Sequence, residues 1–525
     1  MSRFPEPSRR RDLLLAAAGG LLLLFTAVAP ADAVQQPPSR QDPDVAVQKE
    51  WIPPDSLVRG ALALPWLTRA ELRKTLADLA APEMEGRLTG TGGYERAARY
   101  AARKMQEADL RPGGEDGTYF QPFVVEANEI IGSVSLEVRG RDWTAPSYTP
   151  GVDFVARGFS GSGEVESAEV VFLGYGLSEP GLGWDDYEGV EPRGKVGLVY
   201  MGAPPVEAEW GEKTRPRYKA TTAKQHGLRA LVFIDDPGPG VPHPIVSVYH
   251  GQEGRHQPDL PQLSVTYGVA DDLMRGTPFT ARNLRRQMTD TGAPYSMGLP
   301  TRVSLEIHAR YTPRAQTWNV VGFVEGSDPS LAADYIVVGG HLDHVGQQVD
   351  LLLPGAQDNA SGSTLVLEMA RALAAAPIKP ARSVCFVLFA GEELFLLGSE
   401  YFAAHPPRSS DSMAGMINLD MAGTGPQLRM AGGATTPAFH QFAVDADRLY
   451  GGFGLAESEP RPIAPGASDH SAFVNAGVPT LYFASGGAPG RAHTSSDTVG
   501  TIDFDAMERT ARVVYLVLYQ MADRR

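Results

Sequence analysis

A chain of 525 residues with a formal charge of −15 is too long for one simple core, and by size it holds roughly two to three domains. At 43% hydrophobic and 21% charged residues its composition is that of ordinary globular material, and the acidic balance argues against nucleic acid as the main partner. The single cysteine, Cys385, excludes a disulfide framework; lying in the apolar run 383–389, it reads as a buried core thiol.

Arg9, Arg10 and Arg11 precede an apolar stretch from Leu13 to about Val28, and Ala31-Asp32-Ala33 offers a small-x-small cleavage pattern. Residues 1–33 therefore read as an export signal, of either the twin-arginine or the ordinary secretory kind. No cysteine follows that would anchor a lipoprotein, and no later stretch reaches the ~18 apolar residues of a membrane span. The expectation is a soluble secreted or periplasmic protein with no membrane partner once the signal is removed; the sequence leaves its oligomeric state open. Residues 34–56, rich in Pro, Gln and Asp, read as a flexible lead-in.

Apolar spacing predicts helices over 68–79 and 93–105. The glycine-rich loop Glu85 to Gly93 lies between them. It lacks the Gly-Lys-Ser/Thr ending of a phosphate loop and reads as a plain helix entry. From about Asp153 to Met297 short β-rich runs appear, at 169–173, 196–200 and 230–234, with a helix over 221–227, which describes a small separate module. Its histidines, His226, His243, His250 and His256, show no ligand spacing and read as surface or structural. From about Leu305 strands and helices alternate. Strands are predicted at 335–339, 383–389, 416–419 and 480–483. Helices are predicted at 363–375, near Glu400, at 437–449 and at 503–522. Strands apolar throughout imply a mostly parallel sheet covered on both faces, with its chemistry in loops beyond the carboxyl ends of the strands.

Five such loops carry polar residues: His341-Leu342-Asp343-His344, Asp358-Asn359, Gly391-Glu392-Glu393, Asp420-Met421 and His493-Thr494. Taken singly, each has a bland reading. Asp358 suits a helix cap, and the paired glutamates suit a helix start. Together, two histidines and three carboxylates could hold two divalent ions if one carboxylate bridges, and imidazole with carboxylate but no thiolate suits zinc or a similar first-row ion. The pair Glu392-Glu393 can then divide labour, one binding metal and the other serving as general base beside a metal-bound water, as amide hydrolysis requires. Asp343, two residues from His341, is placed to orient that imidazole.

The motifs His341-x-Asp343, Asp358-Asn359-Ala360-Ser361-Gly362, Gly391-Glu392-Glu393, Asn418-Leu419-Asp420-Met421-x-Gly423 and His493-Thr494-x-x-Asp497-Thr498 resemble the co-catalytic two-zinc exopeptidases. That family includes the bacterial leucyl aminopeptidases, aminopeptidase Y and the glutamate carboxypeptidase-like enzymes. The resemblance implies an α/β three-layer sandwich with a mostly parallel central sheet. It implies Asp358 bridging two zinc ions, His341 and Asp420 completing one, Glu393 and His493 the other, Glu392 as general base and Asp343 supporting His341. Residues 153–297 are similar to an inserted protease-associated domain, through Gly174-Tyr175-Gly176, Trp184-Asp185-Asp186-Tyr187, Gly194-Lys195-Val196 and Lys224-Gln225-His226-Gly227. The catalytic fold would then comprise 57–152 and 298–525. Ser468-Asp469-His470-Ser471-x-Phe473 resembles a further family segment, with Asp469 and His470 as neighbours of the site. One departure is Ala492, where many relatives carry tyrosine before the last histidine; Tyr482 is the substitute nearest in sequence.

The resemblance implies a zinc-dependent aminopeptidase acting on peptide substrates. The alternatives are a carboxypeptidase on the same two-zinc site, for which Arg491 alone makes no cationic cluster; a one-zinc glutaminyl cyclase; and a non-catalytic binding protein on the same scaffold, which would be expected to have lost ligands.

Overall fold

The computed structural model describes residues 52–235 and 256–524, apart from 332, 349–350, 467 and 488–489. The expected export signal, most of the lead-in, His243 and His250 lie outside the described residues.

One sheet organises the fold. Besides the two-residue strand Arg111–Pro112, its strands are β1 (Phe120–Arg139), β2 (Phe154–Ala156), β3 (Gly163–Leu173), β4 (Val196–Tyr200), β5 (Ala230–Ile234), β6 (Gln262–Val265), β7 (Ser296–Val324), β8 (Tyr335–His341), β9 (Ser383–Phe389), β10 (Met413–Leu419), β11 (Gln427–Ala431) and β12 (Thr480–Gly486). They run in the order β11-β12-β10-β8-β9-β7-β3-β4-β5-β6-β2, with β1 also paired to β7. Neighbours from β12 through β10 and β8 to β9 are parallel, and so are β3 through β6. The fold is thus mixed α/β with a mostly parallel sheet. Between the two parallel blocks, β7 runs antiparallel to β9, β3 and β1.

Period-2 alternation builds two apolar faces from the same strands. In β8, Ile336 and Val338 join one core while Tyr335 and Val337 join another; in β9, Val384, Phe386 and Leu388 face the first and Cys385, Val387 and Phe389 the second. Because both faces are covered, every residue of β8 and β9 is buried, which is why these strands read as unbroken apolar runs. Cys385 is buried as expected, and burial pushes its thiol well up.

The helices used below are α1 (Arg69–Leu79), α2 (Gly92–Glu107), α3 (Pro216–Gln225), α4 (Gly362–Ala375), α5 (Leu397–Ala404), α6 (Pro437–Ala446), α7 (His470–Asn475) and α8 (Phe504–Asp523). Residues of α1, α2, α4, α6 and α8 pack on the first core, and Phe402 of α5 with Phe473 of α7 packs on the second. α1 starts where the Thr68 hydroxyl accepts the Glu71 N–H, and α8 where the Asp503 carboxylate accepts the N–H groups of Asp505 and Ala506; both are ordinary N-caps. Three helices meet at one buried ionic group. The Glu368 carboxylate of α4, fully buried, accepts from Thr75 of α1 at 2.6 Å, pairs with Lys104 of α2 at 3.0 Å and with Arg371 at 2.7 Å.

β1 and β7 are far longer than the short runs visible in the sequence. The position 297/298, where the sequence suggests a domain change, falls inside β7, so one strand belongs to both halves of the sheet. Residues of β2 to β6 close a separate core with Trp184, Trp210 and Leu284. Among the contacts of this segment with the other half, two lie near the site loops. Gln348 exchanges hydrogen bonds with the main chain of Ala156, at 2.7 and 3.2 Å, and the Arg215 guanidinium lies over the Phe395 ring, 5.1 Å from its centroid. Among the described residues no helix is long and apolar enough to cross a membrane.

Candidate metal centre

The parallel strands β8, β9, β10 and β12 all point their carboxyl ends the same way, so the loops that follow them converge. β8 ends on His341. The preceding Gly340 leaves no room for a side chain, since a Cβ there would lie 2.5 Å from the Leu419 carbonyl oxygen. That close approach brings the end of β10, and with it Asp420, beside His341. Asn359 ties the same loops together: its Nδ2 donates to the Leu419 carbonyl at 2.9 Å, and its Oδ1 accepts the N–H groups of Gly362 and Met421 at 2.9 and 3.1 Å.

All five expected ligands come together. His341 Nε2 lies 3.4 Å from Asp358 Oδ1 and 3.4 Å from Asp420 Oδ1. His493 Nε2 lies 3.2 Å from Asp358 Oδ2 and 2.9 Å from Glu393 Oε2. Asp358 therefore faces one histidine with each oxygen. Two groups suited to a divalent ion share it: His341, Asp358 and Asp420 on one side, and Asp358, Glu393, His493 and His344 on the other. Glu392 completes a third grouping with His341 and Glu393.

The carboxylate of Asp343, fully buried, accepts the N–H of Glu392 at 3.2 Å and of Glu393 at 3.3 Å. Its nearer contact to His341 runs through the main chain: His341 Nδ1 is 3.1 Å from the Asp343 carbonyl oxygen and 3.8 Å from Asp343 Oδ1. The carboxylate is thus spent on the glutamate loop, and the imidazole is oriented by the carbonyl of the same residue.

Charge is concentrated here. Burial works against a protonated His341, but the carboxylates of Glu392, Asp358 and Asp420 hold it well above the ordinary histidine range. His493 is raised in the same way by Glu393 and Asp358. Burial pushes the Glu392 carboxyl well up, helped by Glu393, Asp420 and Asp469, whereas Glu393 is held down at about 2, where His493 and His344 overcome the effect of burial. So many buried carboxylates cannot share one site uncharged by partners, and divalent cations are the partners that imidazole and carboxylate oxygens jointly suit.

Asp469 is fully buried and burial raises its carboxyl to about 7, with His341, Asp343 and Asp420 near enough to interact. His470 points Nε2 at the Ala464 carbonyl, 3.0 Å away, and its ring lies 4.9 Å from that of Tyr482. Burial raises the Tyr482 hydroxyl, with the charges of Asp420, Glu392 and Asp358 adding to it. The two described histidines of the 153–297 segment stay apart: His226 stacks on Tyr187, His256 stacks on Tyr311, and neither joins a metal-suited group among the described residues.

Three residues that support the site carry no assigned role in the sequence reading. Asp497 accepts the N–H groups of Gln357 and Asp358 at 2.8 and 3.0 Å, fixing the loop that carries the shared carboxylate. Its place in the last motif was a visible signal. Arg87, fully buried, donates to four carbonyl oxygens, those of Leu342, Leu79, Pro354 and Gly355, at 2.7–2.8 Å. It staples the Glu85–Gly93 loop to the loops of His341 and Asp358, and nothing in a plain glycine-rich loop announces that. The third is His344, whose Nδ1 lies 3.0 Å from Glu393 Oε1.

The structure thus sets a histidine–carboxylate cluster suited to metal beyond the strand ends of a mostly parallel α/β sheet. Residues 319–518 match the model of Peptidase family M28. It is 28% identical over 235 residues to leupeptin-inactivating enzyme 1 of Streptomyces exfoliatus, covering 39% of this chain and 49% of that protein. It is 30% identical over 202 residues to a probable leucine aminopeptidase of Arthroderma otae, covering 37% of this chain and 56% of that protein. The chain thus spans about half the length of these curated relatives. The fold is that of an aminopeptidase from Aneurinibacillus sp. strain AM-1, with a TM-score of 0.60 at 22% identity over 88% of this chain and 96% of that one.

Proposed function

We propose that the chain is an exported, zinc-dependent exopeptidase that removes the N-terminal residue of peptides. The observation that carries this reading is the position of Asp358, one oxygen toward His341 and the other toward His493, as a carboxylate shared by two ions would stand. The donor set, histidine and carboxylate without thiolate, fits two zinc ions or another first-row pair. His341, Asp358 and Asp420 would hold one ion, and Asp358, Glu393 and His493 the other. Bound there, the ions supply Lewis acidity that activates water and polarises the scissile carbonyl.

The protein's own residues do the rest. Glu392, not needed as a ligand, takes the proton of the attacking water and passes it to the leaving amine. Asp343 holds both glutamates in register through their main-chain N–H groups. Tyr482 takes the place of the tyrosine missing at Ala492 as a donor to the developing oxyanion. Residues 153–297 act as a protease-associated domain that walls the cleft and limits access, a reading supported by the contact of Arg215 with Phe395 just past Glu393. The arginine-led apolar segment at 1–33 supports export to the periplasm or medium.

A panel of aminoacyl and N-blocked peptide substrates, assayed before and after chelation, tests the reading. Cleavage of free-amino substrates that stops on chelation and returns with zinc is the expected result. Activity confined to N-blocked substrates would replace the aminopeptidase reading with the carboxypeptidase one, and unchanged activity after complete metal removal would overturn both.

A further inference from the structure

We infer that His344 is a positioning residue for the second ion, holding the Glu393 carboxylate from outside the ligand set. The inference rests on the two-ion reading of the site.

His344 follows β8 by three residues and is fully buried. Its N–H donates to the Arg87 carbonyl at 3.2 Å, so the residue is anchored at the main chain. The ring occupies a space cut for it: a Cβ on Gly355 would lie 2.5 Å from the imidazole Cγ and Cδ2. The ring sits 5.4 Å from that of His493, at 59°.

Both histidines lie about equally close to Glu393; their distance to the shared Asp358 separates them. Two ligand atoms at about 2.0–2.1 Å from a tetrahedral zinc are about 3.3 Å apart. His493 Nε2 meets that spacing with Asp358 Oδ2, at 3.2 Å. His344 Nδ1 does not: it is 3.9 Å from Asp358 Oδ2 yet 3.0 Å from Glu393 Oε1, the length of a hydrogen bond. His493 Nε2 faces both Glu393 oxygens, Oε2 at 2.9 Å and Oε1 at 3.0 Å, and Oε1 also meets His344 Nδ1, so His344 holds the carboxylate from the side away from Asp358. A carboxylate fixed at one oxygen cannot swing away from the ion, and outer partners of this kind typically contribute 10–100-fold to metal affinity.

The test measures zinc retention by competition with a fluorescent chelator, for the wild-type protein and for His344→Ala, His344→Asn and His344→Gln. Wild-type protein that binds two ions secures the reading on which the inference rests; one that binds none removes both. His344→Ala is expected to keep one ion at wild-type affinity and to release the other about 10- to 100-fold more readily. His344→Asn, whose amide can donate from near the Nδ1 position, should recover most of that loss. Cobalt-substituted wild type and His344→Asn should share the same visible bands, since no ligand is lost. Unchanged retention in His344→Ala, equal loss in the Asn and Ala variants, or cobalt bands that report a missing ligand would each overturn the assignment. Should His344→Ala fail to fold, the Asn and Gln variants decide it, because the amide of Asn reaches Glu393 and that of the longer Gln is displaced from it.

Discussion

Asp343 accepts the main-chain N–H of Glu392 at 3.2 Å, and by that bond the end of strand β8 sets the position of the loop after β9. The same carboxylate takes the N–H of Glu393. One buried side chain therefore places both the expected base and an expected ligand. Replacement by Asn keeps the size but turns a donor toward at least one of these N–H groups. Asp343→Asn should lower turnover by about 10- to 100-fold and weaken metal retention, read by steady-state kinetics beside metal analysis. Wild-type values in both would remove the positioning role.

Glu392→Gln should keep both ions, because Glu392 is not among the residues facing Asp358. Turnover should fall by about 10²- to 10⁴-fold, the usual contribution of a placed general base. Metal content measured on the same preparation separates this outcome from loss of the site.

Arg87→Met leaves four buried carbonyl oxygens without their donor. Burial lowers the guanidinium to about 10, opposed by the carboxylates of Asp497, Asp358, Asp343 and Glu393, which would lose their buried cation in the variant. Breaking such a buried charged group costs about 3–5 kcal/mol, which should show as a large drop in the denaturant midpoint. A loss below about 1 kcal/mol would mean that the loops hold without it.

Stability should carry an acid limb from Glu368. Burial raises its carboxyl, but Lys104, Thr75 and Arg371 bring the net shift below the ordinary value. A folded-state value below the unfolded one means that the contribution is fully present above the ordinary carboxylate range, near 4.3, and is lost as pH falls through the lowered folded value. Urea titrations of wild type and Glu368→Gln should therefore differ most near neutral pH and converge in acid. A constant gap across the range would contradict this.

Arg215 lies over Phe395, two residues past Glu393, at a turn where Phe395 and Leu396 both take left-handed backbone angles. Arg215→Ala removes the cation from that ring without touching an expected ligand. If the 153–297 segment walls the cleft, KM for peptides should change several-fold while metal retention stays the same, and longer peptides should respond more than aminoacyl substrates. Identical kinetics for long and short substrates would place the segment away from the substrate path.

Much of this was legible in the linear chain. β4, β5 and β9 have the residue limits that their apolar runs predict, because a strand buried on both faces needs an unbroken apolar stretch and little else resembles it. The five loops bearing His341, Asp358, Glu392-Glu393, Asp420 and His493 could be ordered by their place after those strands. β1 and β7 were not legible, because long antiparallel strands that pass from one core to another change their buried face along the way, as the bulges near Ile307 and Thr312 show, and so carry no single period.

The order and chemistry of the donors belong to the sequence by itself, since residue type limits which ions a side chain can hold and strand periodicity limits where it emerges. Which oxygen of Asp358 meets which histidine, that Asp343 serves the glutamate loop with its carboxylate and His341 with its carbonyl, and that Arg87 and His344 belong to the site at all, were decided by tertiary structure. Those contacts join residues tens to hundreds of positions apart, and a hydrogen bond depends on ångström distances that no local pattern encodes.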